Sequence, residues 1–479
     1  MAEMKKVVIL GAGPAGLGAG FHLSRKGYSV SIIDRAHYIG GASASFRIKD
    51  YIVDYGPHAF HIKNEGITRM VKGLLAEDYV EVKRKSRLIL DGKDLHYPLD
   101  IREALFKINP LLSLKILADY ILIRCRNILL KKNRRFGTFE EWGTYAFGRT
   151  LYRLAFGDYS EKMWGVSGKL LSSKLAQQKL LKLDLWKLIL KVLGIVDTTF
   201  EGGVTQYYDM YPPFGIGTIF ERMSAEIRKN SGSEILLNAQ ILKICRSQGR
   251  PDNIGLICGG KERRIAFDYL ISTIPLKYLS GYLNDGKDSA MNSLCAGLNY
   301  RDLRIIYIVL DKDYYSDAHW IYLLDPHFKF NRLSEQKNLN KDSSPQGRTV
   351  ISLDIACNEG DRIWNMADEE FFQLAMGDLG YMGIERSHIL DHFNLKLKDV
   401  YPVYSLDFDA RLAGIFVELS KHENIYSTGR QGLFLNNDIH DSMDMGIKAA
   451  EFVLRGEASG GWHDYVSGYI KERLEGNKK

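Results

Sequence analysis

The chain has 479 residues, of which 45% are hydrophobic and 26% charged, and its formal net charge is +7. This length exceeds one ordinary hydrophobic core and predicts two or three lobes of a globular protein. So small a positive excess favours anionic ligands over nucleic acid. The five cysteines lie far apart without a CxxC motif or Cys/His cluster, so we predict no metal site and a reducing, cytoplasmic location. The N-terminus runs directly into a strand, which leaves no room for a signal peptide.

The N-terminus predicts a strand, a glycine-rich turn, a helix and a second strand. Lys6–Leu10 and Ser29–Ile33 are apolar runs typical of buried strands, and residues 11–16 (GAGPAG) lie between them. In this context the glycines permit a tight turn, close approach of a pyrophosphate and close helix packing. The helix N-terminus favours phosphate, and an acid at the end of the second strand suits ribose hydroxyls. The residues assigned to the cofactor here are Gly11, Gly13, Pro14, Ala15, Gly16, Asp34 and Arg35.

A second loop of small residues, 40–45 (GGASAS), precedes the predicted strands Ser45–Ile48 and Tyr51–Asp54. NAD does not need this loop, whereas the larger body of FAD extends past the first turn. An ordinary β-hairpin with a glycine loop is the alternative. We therefore predict FAD, and we see no second GxGxxG motif, so any reduction by NAD(P)H would be transient. Further residues assigned to FAD are Gly41, Ala42, Gly56, Pro57, His58 and Ile241.

The middle of the chain differs in composition from both ends. Residues 105–130 and 174–196 are leucine-rich, helical in pattern and studded with cations such as Lys115 and Arg124. A basic amphipathic face can lie on an anionic membrane, which would make this a peripheral membrane contact. Packed helices with solvated faces are the alternative.

The rest of the chain predicts a return to the first sheet and a second lobe. A helix over 218–229 and strands over 233–238, 240–246 and 269–275 rejoin the sheet, and 302–352 alternates as in an antiparallel sheet. Residues 334–346 read as a loop, and a last helix extends through Val453.

The predicted fold class is α/β, a Rossmann-type FAD-binding domain with a mixed or antiparallel-sheet substrate lobe and a helical insertion. The predicted division is an FAD domain in three parts (1–95, 201–280, 416–479), a helical insertion (96–200) and a substrate lobe (281–415).

These segments, in this order, resemble the FAD-dependent amine oxidase and protoporphyrinogen oxidase superfamily. Three motifs are similar to those of its UDP-galactopyranose mutase branch. Residues 55–61 (YGPHAFH) resemble that family's YGPHxFH, and residues 159–165 (YSEKMWG) resemble its YTEKxWG. Gly429 and Arg430, with the later Asn-Asp-x-His and Met-Asp segments, resemble its Gly-Arg and Met-Asp ending.

The resemblance implies a reaction in which reduced FAD is a nucleophile toward the anomeric carbon of a nucleotide sugar. The sugar ring opens and recloses at a different size without net redox change. The catalytic residues would be His58 near the flavin, Trp164 near the uracil or sugar, and Arg430. Gly429, Arg430, Asp444 and Met445 would contact FAD, with a helix beginning near Asp444. Candidates for holding the substrate are Trp164, Tyr322, Arg332, Tyr401 and Tyr404, with Arg301 and Arg304 as further arginines.

Three hypotheses follow. The first is a mutase-like flavoenzyme acting on a nucleotide sugar. The second is a flavin oxidoreductase that removes hydride from a lipophilic or amine substrate. The third is a non-catalytic protein that keeps FAD as a structural element. The expected partners are a small-molecule substrate and a second copy of the chain in a homodimer, and nucleic acid is not expected.

Overall fold

The computed structural model describes residues 4–97, 103, 107–129, 136–179, 208–284 and 289–475. The strands are β1 Lys6–Leu10, β2 Ser29–Ile33, β3 Ser45–Ile48, β4 Tyr51–Asp54, β5 Phe60–His61, β6 Val80–Lys83, β7 Ser86–Leu90, β8 Lys93–Tyr97, β9 Tyr208–Tyr211, β10 Glu234–Leu236, β11 Gln240–Ser247, β12 Arg250–Cys258, β13 Lys261–Ala266, β14 Tyr269–Ser272, β15 Tyr300–Leu310, β16 Trp320–Leu323, β17 Arg332–Glu335, β18 Thr349–Cys357, β19 Ile389–Pro402 and β20 Ile425–Ser427. The helices are α1 Pro14–Ser24, α2 Glu65–Leu75, α3 Pro110–Leu129, α4 Phe139–Phe147, α5 Arg149–Tyr152, α6 Asp158–Trp164, α7 Lys174–Lys179, α8 Thr218–Arg228, α9 Leu276–Asn284, α10 Ala290–Cys295, α11 Arg362–Asn365, α12 Asp368–Tyr381, α13 Phe408–Ser420, α14 Gly429–Gly432, α15 Ile439–Arg455 and α16 Ser459–Glu475.

The first lobe contains a five-stranded parallel sheet in the order β10-β2-β1-β14-β20. The apolar residues 7–10 of β1 are buried because strands flank β1 on both sides and helices cover the sheet. The strands come from three distant parts of the chain, as the sequence predicted, and the predicted strand–helix–strand unit is confirmed.

Helix α1 packs against both β1 and α15 at distances that only glycine allows. A Cβ on Gly16 would lie 1.9 Å from the carbonyl oxygen of Gly11. A Cβ on Gly446 would lie 2.0 Å from the carbonyl oxygen of Ala15. The Gly11 carbonyl belongs to the glycine-rich turn and the Ala15 carbonyl to the first turn of α1, so these glycines hold the start of α1 between the sheet and α15.

Replacing Gly446 by Ala is therefore expected to separate α15 from the turn, to destabilise the fold by at least about 1–3 kcal/mol and to weaken FAD binding. The matched control is Gly377→Ala on α12, where a Cβ meets nothing within 4 Å. That change should stabilise the protein by about 0.5–1 kcal/mol, because Ala is the better helix former. Thermal unfolding and FAD content of both variants check this, and a G446A protein as stable as G377A would contradict the packing argument.

A seven-stranded sheet, β19-β15-β18-β17-β16-β7-β8, forms the second lobe. It is antiparallel except where β16 runs parallel to β7, so the antiparallel sheet predicted for this region is confirmed. The loop predicted over 334–346 is wrong at its start, because β17 continues to Glu335 and two 3₁₀ turns, Gln336–Asn338 and Lys341–Ser343, follow. The polar residues at the start of this segment predicted an exposed loop. Glu335 is instead buried, and its carboxylate accepts hydrogen bonds from the backbone of Tyr315 and Ser316.

The described part of the predicted insertion is helical. Helix α3 matches the helix predicted over 105–130, and α7 is the described part of the one predicted over 174–196, whose remainder lies outside the described residues. Thr138 and Glu141 form a capping box that starts α4. Among the described residues, no helix has both the length and the apolarity needed to traverse a bilayer. The domain boundaries stay predictions.

Candidate functional site

A cavity of about 740 Å³ runs along the carboxyl edge of the parallel sheet. Asp34 after β2 lines one end, and Arg430 after β20 lines the other. Three strand-to-strand steps separate these ends, which at ~4.8 Å each is about 14 Å. The cavity is thus an extended slot at the carboxyl edge of an α/β sheet, where ligands of such folds bind.

The middle of the slot is a cradle formed by both glycine loops. The Gly40 N–H donates to the Ala12 carbonyl at 2.9 Å, so the second loop is fastened to the first. A Cβ on Gly41 would stand 3.3 Å from the Gly13 Cα, whereas a Cβ on Gly13 would meet nothing within 4 Å. Open space therefore faces the Gly13 backbone at the start of α1, which fits a pyrophosphate approaching the helix N-terminus.

The Asp34 end of the slot suits a ribose. The Asp34 carboxylate accepts hydrogen bonds from the backbone N–H of Ala12 at 2.7 Å and of Ala36 at 2.8 Å, which fixes its orientation. Arg35 follows it, 3.5 Å from the Asp399 carboxylate, with its guanidinium over the ring of Tyr278. A carboxylate held in this way retains lone pairs for ribose hydroxyls.

Most residues assigned to the cofactor line the slot. They are Gly11, Gly13, Pro14, Ala15, Asp34, Arg35, Gly41, Ala42, His58, Ile241 and Arg430. Gly56 and Pro57 instead line a small cavity of about 10 Å³ that also borders His58. Gly16 and Gly429 have packing roles, since a Cβ on Gly429 would lie 2.7 Å from the Ala15 Cβ.

The helix expected to begin near Asp444 begins earlier, so that prediction is wrong. Asp438 and Asp441 form a capping box that starts α15 at Ile439. Asp444 lies in the second turn and pairs with Lys448 at 2.6 Å, and Met445 is fully buried. The helix N-terminus that faces the slot is consequently formed by Ile439 and Ser442, not by Asp444 and Met445.

His58 is held as a neutral imidazole beside the slot. Burial, together with the positive charges of Arg430 and Arg332, lowers the pKa of His58 to about 3, and a hydrogen bond to the Ala42 backbone opposes this only in part. His58 is therefore neutral throughout the physiological pH range, and it can donate or accept a hydrogen bond but carries no charge there.

Arg430 joins the slot to an aromatic group. Its Nε and Nη2 donate to the Asn437 carbonyl at 2.9 and 2.5 Å, which fixes the guanidinium. The guanidinium lies 5.9 Å from the ring centre of Tyr401, and Tyr401 meets Trp164 edge to face at 6.2 Å. The structure thus brings Arg430, Tyr401 and Trp164 together from three distant segments.

Beside this group lies an ion pair with two further tyrosines. Arg332 Nε is 2.8 Å from Asp354 Oδ2, and Asp354 is buried while a fifth of the Arg332 side chain stays exposed. Burial alone would lower the pKa of Arg332, but the Asp354 carboxylate and the nearby hydroxyls of Tyr401, Tyr322 and Tyr159 raise it. Arg332 is therefore a permanent cation facing aromatic side chains.

The YSEKMWG motif contains Trp164, which contacts Tyr401, and Lys162, which contacts the second lobe. The Lys162 ammonium donates to the carbonyls of Leu323, Phe328 and Phe330 at 2.8–3.2 Å, and burial lowers its pKa to about 8. This lysine holds α6 to the second lobe. A π-helical turn, Arg153–Gly157, precedes α6, and such turns recur at functional sites.

Two features near the site were not predicted from the sequence. Tyr159 beside Arg332 stood in a motif already singled out, and its place before the charged pair was the available signal. The second is a cluster in which buried Asp209 lies 2.7 Å from His61 Nδ1 and accepts from Arg84 Nε at 2.8 Å. The pairing of β5 with β9 creates it by placing His61 opposite Asp209.

Three substrate candidates have contacts elsewhere. Tyr404 is fully buried, stacked on Phe408 at 4.3 Å. Arg301 donates to the carbonyls of Met163 and Ala356, and so fixes the end of α6 beside Trp164. Arg304 has no exposed side-chain surface and donates to two backbone carbonyls.

Asp438, His440 and Asp441 come within 4.8 Å of one another, a spacing that could hold a metal ion. However, the two carboxylates form the cap of α15, and Asp441 also pairs with Arg473 at 2.5 Å. Helix capping and an ion pair account for this group.

Comparison with known proteins gives the same fold. Residues 9–74 match the family of NAD(P)-binding Rossmann-like domains. A stretch of 172 residues, 34% of this chain, is 30% identical to a probable UDP-galactopyranose mutase of Klebsiella pneumoniae, and it spans 41% of that relative, less than half its length. The crystal structure of reduced UDP-galactopyranose mutase superposes with a TM-score of 0.81 at 19% identity, over 97% of this chain and 99% of that one. A putative protoporphyrinogen oxidase from Exiguobacterium sp. 255-15 superposes with a TM-score of 0.71 at 17% identity, over 95% of this chain and all of the other.

These similarities confirm the predicted fold class and the resemblance to the superfamily. The Rossmann-like domain and the structural neighbours imply a flavin cofactor. The relatives are named for enzymatic activities, in agreement with the prediction of an enzyme.

Proposed function

We propose that this chain is an FAD-dependent enzyme that interconverts the pyranose and furanose forms of a nucleotide sugar without net redox change. The observation that carries the proposal is that His58 and Arg430, which both line the slot, lie near the cation of Arg332. Arg430 also lies over the ring of Tyr401, which contacts Trp164. The similarity to the Klebsiella mutase adds support.

The charges at the candidate site favour an anionic substrate. The Asp354 carboxylate offsets the charge of Arg332. Arg430, within the described residues, is bonded to a carbonyl rather than a carboxylate, so its charge is not offset in the same way. A diphosphate placed between the two guanidiniums would receive charge-assisted hydrogen bonds, which are stronger than neutral ones.

The aromatic side chains would position the rest of the substrate. Trp164, Tyr401 and Tyr322 offer flat surfaces for a base or sugar ring, and Tyr159 and Tyr322 add hydroxyl groups. Reduced FAD supplies a nucleophilic nitrogen when bound. Neutral His58 would orient the reacting groups through hydrogen bonds without adding a charge.

The decisive experiment uses the purified yellow protein, reduced anaerobically with dithionite or NADPH. A panel of UDP-, GDP- and dTDP-sugars is added, and pyranose and furanose isomers are separated by chromatography. We expect isomerisation in the reduced protein and none in the oxidised control. Absence of isomerisation in both states, with no nucleotide binding by calorimetry, would refute the mutase proposal.

A second candidate is dehydrogenation of a lipophilic or amine substrate. The observation that favours it is the fold shared with a putative protoporphyrinogen oxidase. Anaerobic mixing of oxidised protein with amine or lipophilic donors distinguishes it, because only a dehydrogenase loses its yellow colour to its substrate.

A further inference from the structure

Helix α3 presents an apolar face to the outside of the described structure. Its inner side is buried at Tyr120, whereas Leu111, Leu114, Ile121 and Leu122 are 78%, 64%, 41% and 69% exposed. At 100° per residue these four side chains fall within an arc of about 100°, opposite Tyr120. Four large apolar side chains on one side of one helix exceed the scattered exposure that is normal for a protein surface.

The exposed charged side chains on the outer side of α3 are all positive. Lys115 and Arg126 are exposed at one edge of the apolar arc. The single acid of the helix, Asp119, is partly buried and accepts a hydrogen bond from the Thr150 N–H at 2.6 Å. In the sequence, the basic run 131–135 (KKNRR) follows directly.

We propose that this face of α3 lies on an anionic lipid surface. Apolar side chains flanked by cations, without an exposed acid, match the interface between acyl chains and anionic headgroups. A second copy of the chain would bring identical cations together, which disfavours pairing of two such faces. The helix lies on the bilayer rather than crossing it, because it is too polar to span.

The inner side of α3 connects this surface to the candidate site. Ile108 before the helix is buried in a cluster with Leu88, Leu90 and Leu95, and both Leu112 and Tyr322 pack against that cluster. A bilayer contact at α3 would therefore hold Tyr322, and with it the neighbouring Arg332, close to the lipid surface, whichever reaction the candidate site performs.

The test is co-sedimentation of the FAD-loaded full chain with phosphatidylcholine vesicles, with and without phosphatidylglycerol. We expect binding to the anionic vesicles alone. L114E/L122E should abolish it. K115E/R126E should weaken it by at least about 25-fold, since each cation near such a surface contributes about fivefold. The matched control is Val417→Glu on α13, a residue 61% exposed on a different helix, which should bind like the wild type.

Unchanged FAD absorbance and circular dichroism show that each variant is folded. Failure of the wild type to sediment with anionic vesicles overturns the proposal, as does wild-type binding by L114E/L122E. A dimer in sedimentation velocity that L114E/L122E converts to a monomer, without vesicle binding, also overturns it and assigns the face to a second copy.

Discussion

Replacing Arg332 by Met is expected to lower the free energy of unfolding by about 3–5 kcal/mol, because the buried Asp354 carboxylate loses its partner. The same variant should bind nucleotide diphosphates at least about tenfold more weakly, since one charge-assisted hydrogen bond contributes about 1.5–3 kcal/mol. Denaturant unfolding measures the first effect, and calorimetric titration of the reduced protein with UDP measures the second.

The double variant R332M/D354N separates the two effects. Removing both charges should recover most of the lost stability, because no buried carboxylate is left unpaired. It should not recover nucleotide affinity if Arg332 contacts the substrate. Full recovery of affinity in the stable double variant would show that Arg332 only balances Asp354, and it would remove Arg332 from the proposed site.

The parts of the site that were predictable from sequence are local. The first glycine turn, its helix and Asp34 lie within 30 residues, and each glycine requirement can be read from the motif. The structure agrees down to the contact of Gly16 with the Gly11 carbonyl. Local geometry of this kind is fixed by backbone sterics, which the sequence specifies directly.

The parts that were missed depend on register between distant strands. Arg84 and Asp209 are 125 residues apart and meet only because β9 pairs with both β5 and β6. Arg332 and Asp354 are likewise paired across β17 and β18. A sequence pattern assigns a residue to a strand, but a shift of register by one residue would face it the other way, so such pairs need the structure.

The error at Asp444 has a different cause. The resemblance placed a helix start at the Met-Asp segment, whereas the capping box of Asp438 and Asp441 starts the helix earlier. Two acids three residues apart form a less familiar cap than Ser or Thr followed by Glu, so Asp438 and Asp441 were not taken as a helix start. The correction moves the positive end of α15 to Ile439 and Ser442, which line the slot.

Replacing Arg430 by Met is expected to lower the midpoint potential of the bound flavin by about 30–60 mV. Arg430 lines the slot. If the flavin ring lies beside it, as the resemblance implies, its cation would stabilise the more negative, reduced form. A loss of about 1.5–3 kcal/mol, the contribution of one charge-assisted hydrogen bond, corresponds to that change for a two-electron couple. Anaerobic titration against a reference dye measures the potential.

Arg35→Met is the matched control, because Arg35 lines the same slot at the Asp34 end. It should weaken FAD retention while leaving the potential of bound flavin unchanged. Arg430→Lys keeps the charge but loses the two-donor contact with the Asn437 carbonyl, so it should recover part of the potential. If R430M and R35M shift the potential equally, the effect is not specific to the Arg430 end and the assignment of the flavin ring to that end is refuted. If only R35M shifts the potential, the orientation on which the proposed chemistry rests must be reversed.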